Sequence, residues 1–184
     1  MSIPSHQAAF PSTRWVVMGV SGSGKSEFGK RLATRLGVAY AEGDDYHKAE
    51  NIAKMKAGSP LTDADRTEWL QTLQWRIGAA KESGESLVLS CSSLKRRYRD
   101  FLRQGDPFVV FIHLAGDSEL IGARMRARTD HFMPLGLLAS QFRDLEPPER
   151  DERAISLDIR KTLDQLIAEV LLKIANTSKF KTNN

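Results

Sequence analysis

The segment GVSGSGKSEFGKRL, at residues 19–32, restricts what this chain can fold into more than any other stretch. It follows a short apolar run and contains the pattern G-x-x-x-x-G-K-[ST], whose glycines let backbone N–H groups approach phosphate oxygens. The helix that follows points its positive N-terminus at the same anion. The sequence therefore predicts a loop that binds the phosphates of ATP. The expected loop residues are Gly19, Val20, Ser21, Gly22, Ser23, Gly24, Lys25 and Ser26.

Two residues of this loop have distinct expected roles. The Lys25 ammonium group is expected to reach the outer phosphates and to act in catalysis, and the Ser26 hydroxyl is expected to bind Mg²⁺. The alternative is a glycine-rich turn without chemistry. The apolar strand before the loop and the helical pattern after it argue against that alternative.

Short apolar runs alternate with helical patterns along most of the chain. Strands are expected at residues 15–18, 38–41, 87–91, 108–114 and 154–159. Gly37 is expected to end the first helix, and Thr62 is expected to be the N-cap of a later one. The alternation predicts a three-layer α/β fold, a five-stranded parallel sheet with helices on both faces. One domain is expected at 14–175, with disordered segments at 1–13 and 176–184.

The cysteine content and the apolar runs of the chain indicate the cellular compartment in which it works. The 184 residues contain one cysteine, Cys91, which leaves no internal disulfide and fits a reducing compartment. The first fourteen residues lack the pattern of a signal peptide. The longest apolar run, at 108–114, is far shorter than the roughly 20 residues that cross a bilayer. We therefore expect a cytoplasmic protein without a membrane partner.

The net charge of +4 and two groups of arginines favour an anionic ligand. The groups are Arg96, Arg97, Arg99 and Arg103, then Arg124, Arg126 and Arg128. A nucleic-acid surface is one interpretation, but only Tyr98 and Phe101 lie among the arginines as aromatic partners. The chain lacks the N-K-x-D run of a guanine-specific GTPase, and its third strand, LVLSC, runs into serines rather than the acidic residues of a motor ATPase. Its size and arginines favour a small-molecule kinase.

Polar residues follow the second and third strands, where a parallel sheet places its ligands. The segment EGDDYH brings Asp44 and His47 beside the loop, and the Asp44 carboxylate could accept a proton from an attacking hydroxyl or hold Mg²⁺. The alternative is an Asp-rich turn that caps the next helix. Arg66 and the segment SCSSLKRRYRD, at 90–100, add basic and hydroxyl groups. These residues are candidates for binding the phosphoryl acceptor.

Six motifs, taken in order, resemble the bacterial-type gluconokinase family, small P-loop kinases that phosphorylate D-gluconate at the 6-hydroxyl with ATP. They are MGVSGSGKS, GDDYH, MKAGSPLTDADRTEWL, CSSLKRRYRD, RARTDHFMP and SQFRDLEPP, and the match extends from about Trp15 to Ile174. The first motif is shared with a very large superfamily, whereas CSSLKRRYRD and the HFMP and SQFRDLE segments are much more specific. The alternatives are a kinase of the shikimate or nucleoside-monophosphate type and a nucleic-acid-binding P-loop ATPase.

The resemblance implies roles on the acceptor side. Asp44 would lie against the reacting hydroxyl as the catalytic carboxylate and near Mg²⁺, with His47 in the sugar-acid pocket. Arg66 would hold the substrate carboxylate, since a planar guanidinium can bind both carboxylate oxygens. The other acceptor residues implied are Ser92, Lys95, Arg99 and His131.

The resemblance also implies a mobile lid at about 124–140 and a homodimer. Arg124 and Arg128 lie four residues apart on one helix face and would meet the phosphates during catalysis when the lid closes. Gln141 and Glu146 are expected to be structural supports. Contacts to the adenine are expected from Pro147 and residues 160–162.

Overall fold

Five parallel strands form the central sheet of the structure, a computed structural model that describes residues 12–127 and 136–179. The strands are β1 (Arg14–Met18), β2 (Ala39–Glu42), β3 (Leu87–Ser90), β4 (Val110–Ala115) and β5 (Ala154–Asp158). Their order in the sheet is β2-β3-β1-β4-β5. Because parallel strands end at one edge, the residues that follow β1, β2 and β3 lie close together there. The strands predicted from the sequence are confirmed to within two residues at each end.

Helices connect the strands and cover both faces of the sheet, which confirms the predicted three-layer α/β fold. The helices are α1 (Lys25–Leu36), α2 (Ala49–Lys56), α3 (Asp63–Glu82), α4 (Arg96–Arg103), α5 (Ser118–Arg126), α6 (Gly136–Asp144) and α7 (Leu163–Lys179), with a 3₁₀ turn at Gly43–Tyr46. Parallel strands require such crossover connections because each strand ends at one edge of the sheet and the next strand begins at the opposite edge. No helix in the described ranges is long and apolar enough to cross a membrane.

The central strand β1 is buried on both faces, and its side chains alternate between two apolar clusters. Trp15 and Val17 belong to the cluster that α1 and α7 cover. Val16 and Met18 belong to the cluster that α3 and α4 cover. Successive residues of a strand point to opposite faces, so one strand anchors both helical layers. This arrangement fixes the loop that leaves the end of β1.

The helix α3 begins with the predicted cap. The Asp65 N–H donates to Thr62 Oγ1 at 3.2 Å, and the Thr62 N–H donates to Asp65 Oδ2 at 2.6 Å. This reciprocal pair is a capping box, and it satisfies donors that the first helical turn leaves unpaired. The cap therefore fixes where α3 starts, at the edge of the sheet where the polar residues gather.

Two helices and one boundary differ from the sequence-based prediction. The short helices α2 and α6 were not predicted, because α2 buries only Met55 and α6 only Leu137 and Leu138, too few apolar positions to show a helical period. The helix α7 continues to Lys179, so residues 176–179 are helical where disorder was expected. The domain bounds stay a prediction, as does the disorder expected at 1–13 and over the rest of 176–184, since residues 1–11 and 180–184 lie outside the described ranges.

The carboxyl end of β3 lies between the loop that follows β1 and the turn that follows β2, and it contacts both. On one side, the Gly19 N–H donates to the Ser92 carbonyl oxygen at 3.2 Å. On the other side, Gly43 packs so closely that a Cβ built there would lie 2.2 Å from the Ser90 carbonyl oxygen. Only glycine allows this approach. The loop after β1 and the turn after β2 are therefore both held against β3.

Candidate active site

The loop of residues 19–26 joins β1 to α1 and leaves the first turn of the helix open. Gly24 is the N-cap of α1 at φ 94°, and no side chain of the described residues caps that helix. A Cβ built on Gly24 would meet nothing within 4 Å, whereas one built on Gly22, at φ 81°, would lie 2.6 Å from Met125 Cγ. The uncapped N–H groups and the helix dipole make this end of α1 suitable for a phosphate. All eight predicted loop residues lie in this segment.

The Lys25 side chain lies between the loop and the end of β2. Its Nζ donates to the Val20 carbonyl oxygen at 3.0 Å. Burial lowers the pKa of Lys25, and the nearby carboxylates of Asp44 and Glu42 act in the opposite direction. Ser26 is exposed in the first turn of α1, next to this lysine. The predicted phosphate-binding lysine and the predicted acid are thus neighbours in the fold.

Glu42, the last residue of β2, is a site residue that the sequence-based prediction missed. The Tyr40 hydroxyl donates to Glu42 Oε2 at 2.6 Å, and its oxygen lies 2.9 Å from Ser90 Oγ. Burial and this hydrogen bond to Glu42 raise the pKa of Tyr40, so the phenol stays a donor at neutral pH. The position of Glu42 at the carboxyl end of a strand, two residues before Asp44, is the signal that could have found it.

A cavity of about 400 Å³ opens beside the loop, a size that suits a small ligand. The Arg124 guanidinium lies on its wall, where Nη2 donates to the Ile159 carbonyl oxygen at 2.6 Å. Its described lining consists of Gly22, Ser23, Gly24, Glu27, Phe28, Leu114, Arg124, Ala127, Lys161, Thr162, Leu163 and Leu166. Lys161 and Thr162 come from the segment expected to contact adenine, and Pro147 is not part of this wall.

The 3₁₀ turn after β2 carries the predicted acid. Asp44 is half-buried and its charge acts on Lys25, whereas the adjacent Asp45 is exposed. His47, which ends the turn, stacks on Trp69 of α3 with 4.4 Å between ring centroids and an angle of 12° between planes. Burial, with the Arg66 charge nearby, lowers the pKa of His47 to about 4. The imidazole is therefore neutral at physiological pH.

The predicted basic residues Arg66 and Lys95 gather around the ring of Tyr98. The Arg66 guanidinium lies 5.8 Å from the ring centroid, and its Nη1 donates to the Leu61 carbonyl oxygen at 2.6 Å. Lys95 Nζ lies 5.7 Å from the same centroid, 3.3 Å from Asp63 Oδ1 and 3.4 Å from a carboxylate oxygen of Asp144. Lys95 is thus paired with two carboxylates, whereas Arg66 makes no ion pair among the described residues, so the Arg66 guanidinium is the cation here that suits an anionic acceptor.

The prediction that Arg99 lines the acceptor site is wrong. Its side chain is fully buried, and its Nε and Nη2 donate to the two carboxylate oxygens of Glu152 at 2.6 and 2.7 Å. Its Nη1 donates to the carbonyl oxygens of Ser93, Leu94 and Glu146. All these partners belong to the protein, so Arg99 joins α4 to the segment before β5 and supports the site from inside.

The other predicted residues fall into three groups. The Ser92 carbonyl oxygen accepts the Gly19 N–H at the start of the loop. Contact between Ser92 and a substrate stays a prediction. Glu146 is confirmed as a structural support, because its carboxylate accepts the Arg96 N–H at 2.5 Å. Arg128 and His131 lie outside the described residues, as do residues 128–135 of the lid expected at 124–140.

Gln141 has a more direct place in the site than the predicted structural support. The Ser21 N–H, in the middle of the phosphate-binding loop, donates to Gln141 Oε1 at 2.6 Å. This bond joins α6 to the loop across 120 residues of sequence. Nothing local in the sequence pairs these two positions, so only the folded chain identifies the contact.

Together, the loop, the cavity and the parallel sheet define a small P-loop kinase. A family model described as shikimate kinase matches residues 21–177. The thermosensitive gluconokinase of Escherichia coli K12 is 46% identical over 156 residues, covering 85% of this chain and 82% of that protein. The chain belongs to the gluconokinase family and is an ATP-dependent kinase.

Solved structures agree with this assignment. A gluconokinase from Sinorhizobium meliloti 1021 superimposes with a TM-score of 0.85 at 41% identity, covering 95% of this chain and 99% of that one. An unliganded sugar kinase from Janibacter sp. HTCC2649 also gives a TM-score of 0.85, at 48% identity, covering 91% of this chain and 98% of that one. The kinase fold therefore extends over nearly all of the chain.

Proposed function

We propose that this enzyme transfers the terminal phosphoryl group of ATP to the 6-hydroxyl of D-gluconate, giving 6-phospho-D-gluconate and ADP. The observation that carries the proposal is the placement of Asp44 beside Lys25, with the Arg66 guanidinium on the acceptor side. The choice of gluconate as the substrate follows from the similarity of the chain to gluconokinases. Gluconate carries one carboxylate and a row of hydroxyls, and the basic and polar groups beside the turn match that chemistry.

On the nucleotide side, the loop residues 19–26 bind the phosphates of ATP through backbone N–H groups. Lys25 exchanges its internal carbonyl partner, Val20, for the outer phosphates. The base occupies the adjoining cavity, against Lys161 and Thr162. Arg124, on the same wall, adds positive charge near the phosphates, and Arg128 is proposed to act with it.

The donor atoms near Lys25 fit a magnesium ion that arrives with ATP. Ser26 supplies a hydroxyl, and Asp44 and Glu42 supply carboxylates, which are the hard oxygen ligands that Mg²⁺ prefers. The described residues contain no cluster of three or more His, Cys, Asp or Glu side chains suited to a metal. Few protein ligands are needed, because Mg²⁺ in kinases is held largely by phosphates and water. Bound there, the ion neutralises charge on the transferred group.

On the acceptor side, Arg66 and Lys95 attract the gluconate carboxylate, and His47 offers a neutral imidazole to the hydroxyls. The 6-hydroxyl oxygen attacks the terminal phosphorus, the bond from phosphorus to the bridging oxygen of ADP breaks, and the hydroxyl proton passes to Asp44. Loose phosphoryl transfer needs little early proton abstraction, so orientation of the hydroxyl by Asp44 matters as much as its basicity.

The first test of this function is ADP release by the purified protein with ATP and Mg²⁺. It is measured with no acceptor, with D-gluconate, and with a panel of shikimate and nucleoside monophosphates. Gluconate alone should raise the rate strongly and yield 6-phosphogluconate. Stimulation by another acceptor instead would overturn the substrate assignment while leaving the kinase intact.

Two neighbouring acids allow a matched test of the catalytic residue. Asp44→Asn should lower kcat by at least about 100-fold while ATP binding persists, because it removes the proposed proton acceptor. Asp45→Asn changes the exposed neighbour on the same turn and should leave kcat within about twofold, as expected of a surface substitution. Similar rates for the two variants would contradict the role of Asp44.

We also propose a cytoplasmic homodimer, as the family resemblance implies. The buried free thiol of Cys91 is compatible with a reducing compartment. Light scattering tests the assembly, since a dimer has twice the 20.6 kDa mass of one chain. A mass of one chain at assay concentration would contradict it.

A further inference from the structure

Trp69 of α3 is buried at 3% exposure and makes two directed contacts with the turn that carries the catalytic acid. Its Nε1–H donates to the Gly43 carbonyl oxygen at 2.7 Å. Its ring stacks on the His47 ring. The N–H of a buried tryptophan needs a hydrogen-bond acceptor, and many backbone carbonyls in a core could serve. Here the acceptor is the residue directly before Asp44.

The first contact acts on the peptide group that leads into Asp44. The Gly43 carbonyl belongs to that peptide group, so the indole N–H fixes the plane from which Asp44 extends. On the opposite side, the turn rests on the Ser90 carbonyl oxygen, where Gly43 leaves no room for a side chain. The turn that leads into Asp44 thus contacts both a strand and an indole, and the indole N–H is the contact that can be removed while an aromatic ring stays in the core.

The second contact acts on His47. Trp69 covers one face of the imidazole, and among the described residues His47 Nδ1 is buried without a hydrogen-bond partner. A buried polar atom without a partner is costly unless a ligand completes it. A sugar hydroxyl can both donate and accept, so it suits either nitrogen of a neutral imidazole.

We propose that Trp69 is a positioning residue for phosphoryl transfer. Its N–H orients Asp44 toward the reacting hydroxyl, and its ring face holds His47 toward the hydroxyls of the acceptor. This inference rests on the roles proposed above for Asp44 and His47. It assigns separate tasks to the two parts of the indole, which separate substitutions can distinguish.

The test compares Trp69→Phe, which keeps an aromatic face and loses the N–H, with Trp69→Leu, which loses both. Trp75→Phe is the matched control, because Trp75 lies on the same helix with 64% of its surface exposed. Kinetics are measured well below each variant's melting temperature, with gluconate and ATP varied separately. Trp69→Phe should lower kcat about tenfold and leave both KM values within about twofold. Trp69→Leu should in addition raise KM for gluconate at least about fivefold, with KM for ATP unchanged.

A purely structural role gives a different result. In that case Trp69→Phe lowers only the melting temperature, and its kinetic constants match those of Trp75→Phe, which would overturn the proposal. If Trp69→Leu does not fold, the kcat of Trp69→Phe decides by itself. The wild-type acceptor panel and the paired Asp44→Asn and Asp45→Asn variants report separately on the proposed function, so the two failures are distinguishable.

Discussion

Replacing Arg99 by methionine should destabilise this protein strongly without weakening substrate binding. The substitution removes two hydrogen bonds to Glu152 and three to carbonyl oxygens, all in the interior. Glu152, whose side chain is 1% exposed, would keep only the Arg103 ion pair at 3.0 Å and the backbone bond from Glu149. Breaking one partner of a buried ion pair costs about 3–5 kcal/mol.

The expected loss can be read as a melting temperature. For a chain of 150–250 residues, 1 kcal/mol corresponds to about 2–4 °C, so Arg99→Met should lower Tm by about 6–20 °C. Differential scanning calorimetry measures Tm, and steady-state kinetics well below it measure KM for gluconate, which should stay within about twofold. Arg96→Ala, which breaks exposed ion pairs on the same helix, should shift Tm far less.

The double variant Arg99→Met with Glu152→Met adds a further check. Replacing both partners by apolar side chains removes the uncompensated charge, so it should recover part of the lost stability. If Arg99→Met instead keeps Tm within about 2 °C and raises KM for gluconate about tenfold, the reasoning fails and Arg99 contacts substrate after all.

Three further predictions concern the loop and one buried histidine. Gln141→Ala removes the acceptor for the Ser21 N–H and should raise KM for ATP about three- to tenfold, as measured by coupled-assay kinetics. Gly22→Ala forces a Cβ toward Met125 at positive φ, so calorimetric titration should show ATP binding weakened at least about tenfold. Burial lowers the pKa of His113 to about 4. The stabilisation that comes from keeping this imidazole neutral should therefore be complete above pH 6.5 and be lost as the pH falls toward 4. His113→Gln should make Tm depend less steeply on pH over this range.

Each of these predictions has a control or a contrary outcome. Gln71→Ala, at an exposed position of α3, should leave KM for ATP unchanged, and equal constants for the Gln71 and Gln141 variants would count against the loop contact. Gly84→Ala adds a Cβ at a similar positive φ, with nothing within 4 Å among the described residues, and should bind ATP normally. An unchanged pH slope in the His113 variant would show that other groups cause the acid loss. Glu152 does not interfere with this test, because it titrates at lower pH than His113. Hydrogen bonds from Arg99, the Glu149 backbone and Arg103 outweigh the effect of burial and lower the pKa of Glu152 to about 2.

Local patterns in the sequence account for the sheet and the phosphate-binding loop. Strand periodicity, the glycine spacing and the Thr62 cap are each decided within a few residues, so the sequence alone could locate them. Long-range pairing could not be found in this way. Arg99 resembles its exposed neighbour Arg97 in sequence, and only folding brings Glu152 into contact with it. Gln141 likewise acquires its role from a loop 120 residues away.

The polar residues proposed for the acceptor side could be named from the sequence, whereas the group that holds them could not. Asp44 and His47 are polar, titratable residues that come shortly after a strand, so the sequence motif identifies them as candidates. Trp69 looks like any apolar helix residue, because its sequence context fits the core position that it also occupies. The N–H of a buried indole gives no sign in a sequence of where it will point. Its contact with Gly43 therefore required the structure.

The contacts on the two sides of β3 have a consequence for how this fold can change its substrate. The phosphate-binding loop and the turn that carries Asp44 both lie against a single strand, through a backbone hydrogen bond on one side and a close glycine contact on the other. That strand acts as a rigid spacer. The Arg66 and Lys95 side chains around Tyr98 take no part in these two backbone contacts, whereas Trp69 of α3 does contact the turn. We therefore expect that the charge of the proposed acceptor site can be altered at Arg66 and Lys95 while the spacing between the loop and the turn stays the same.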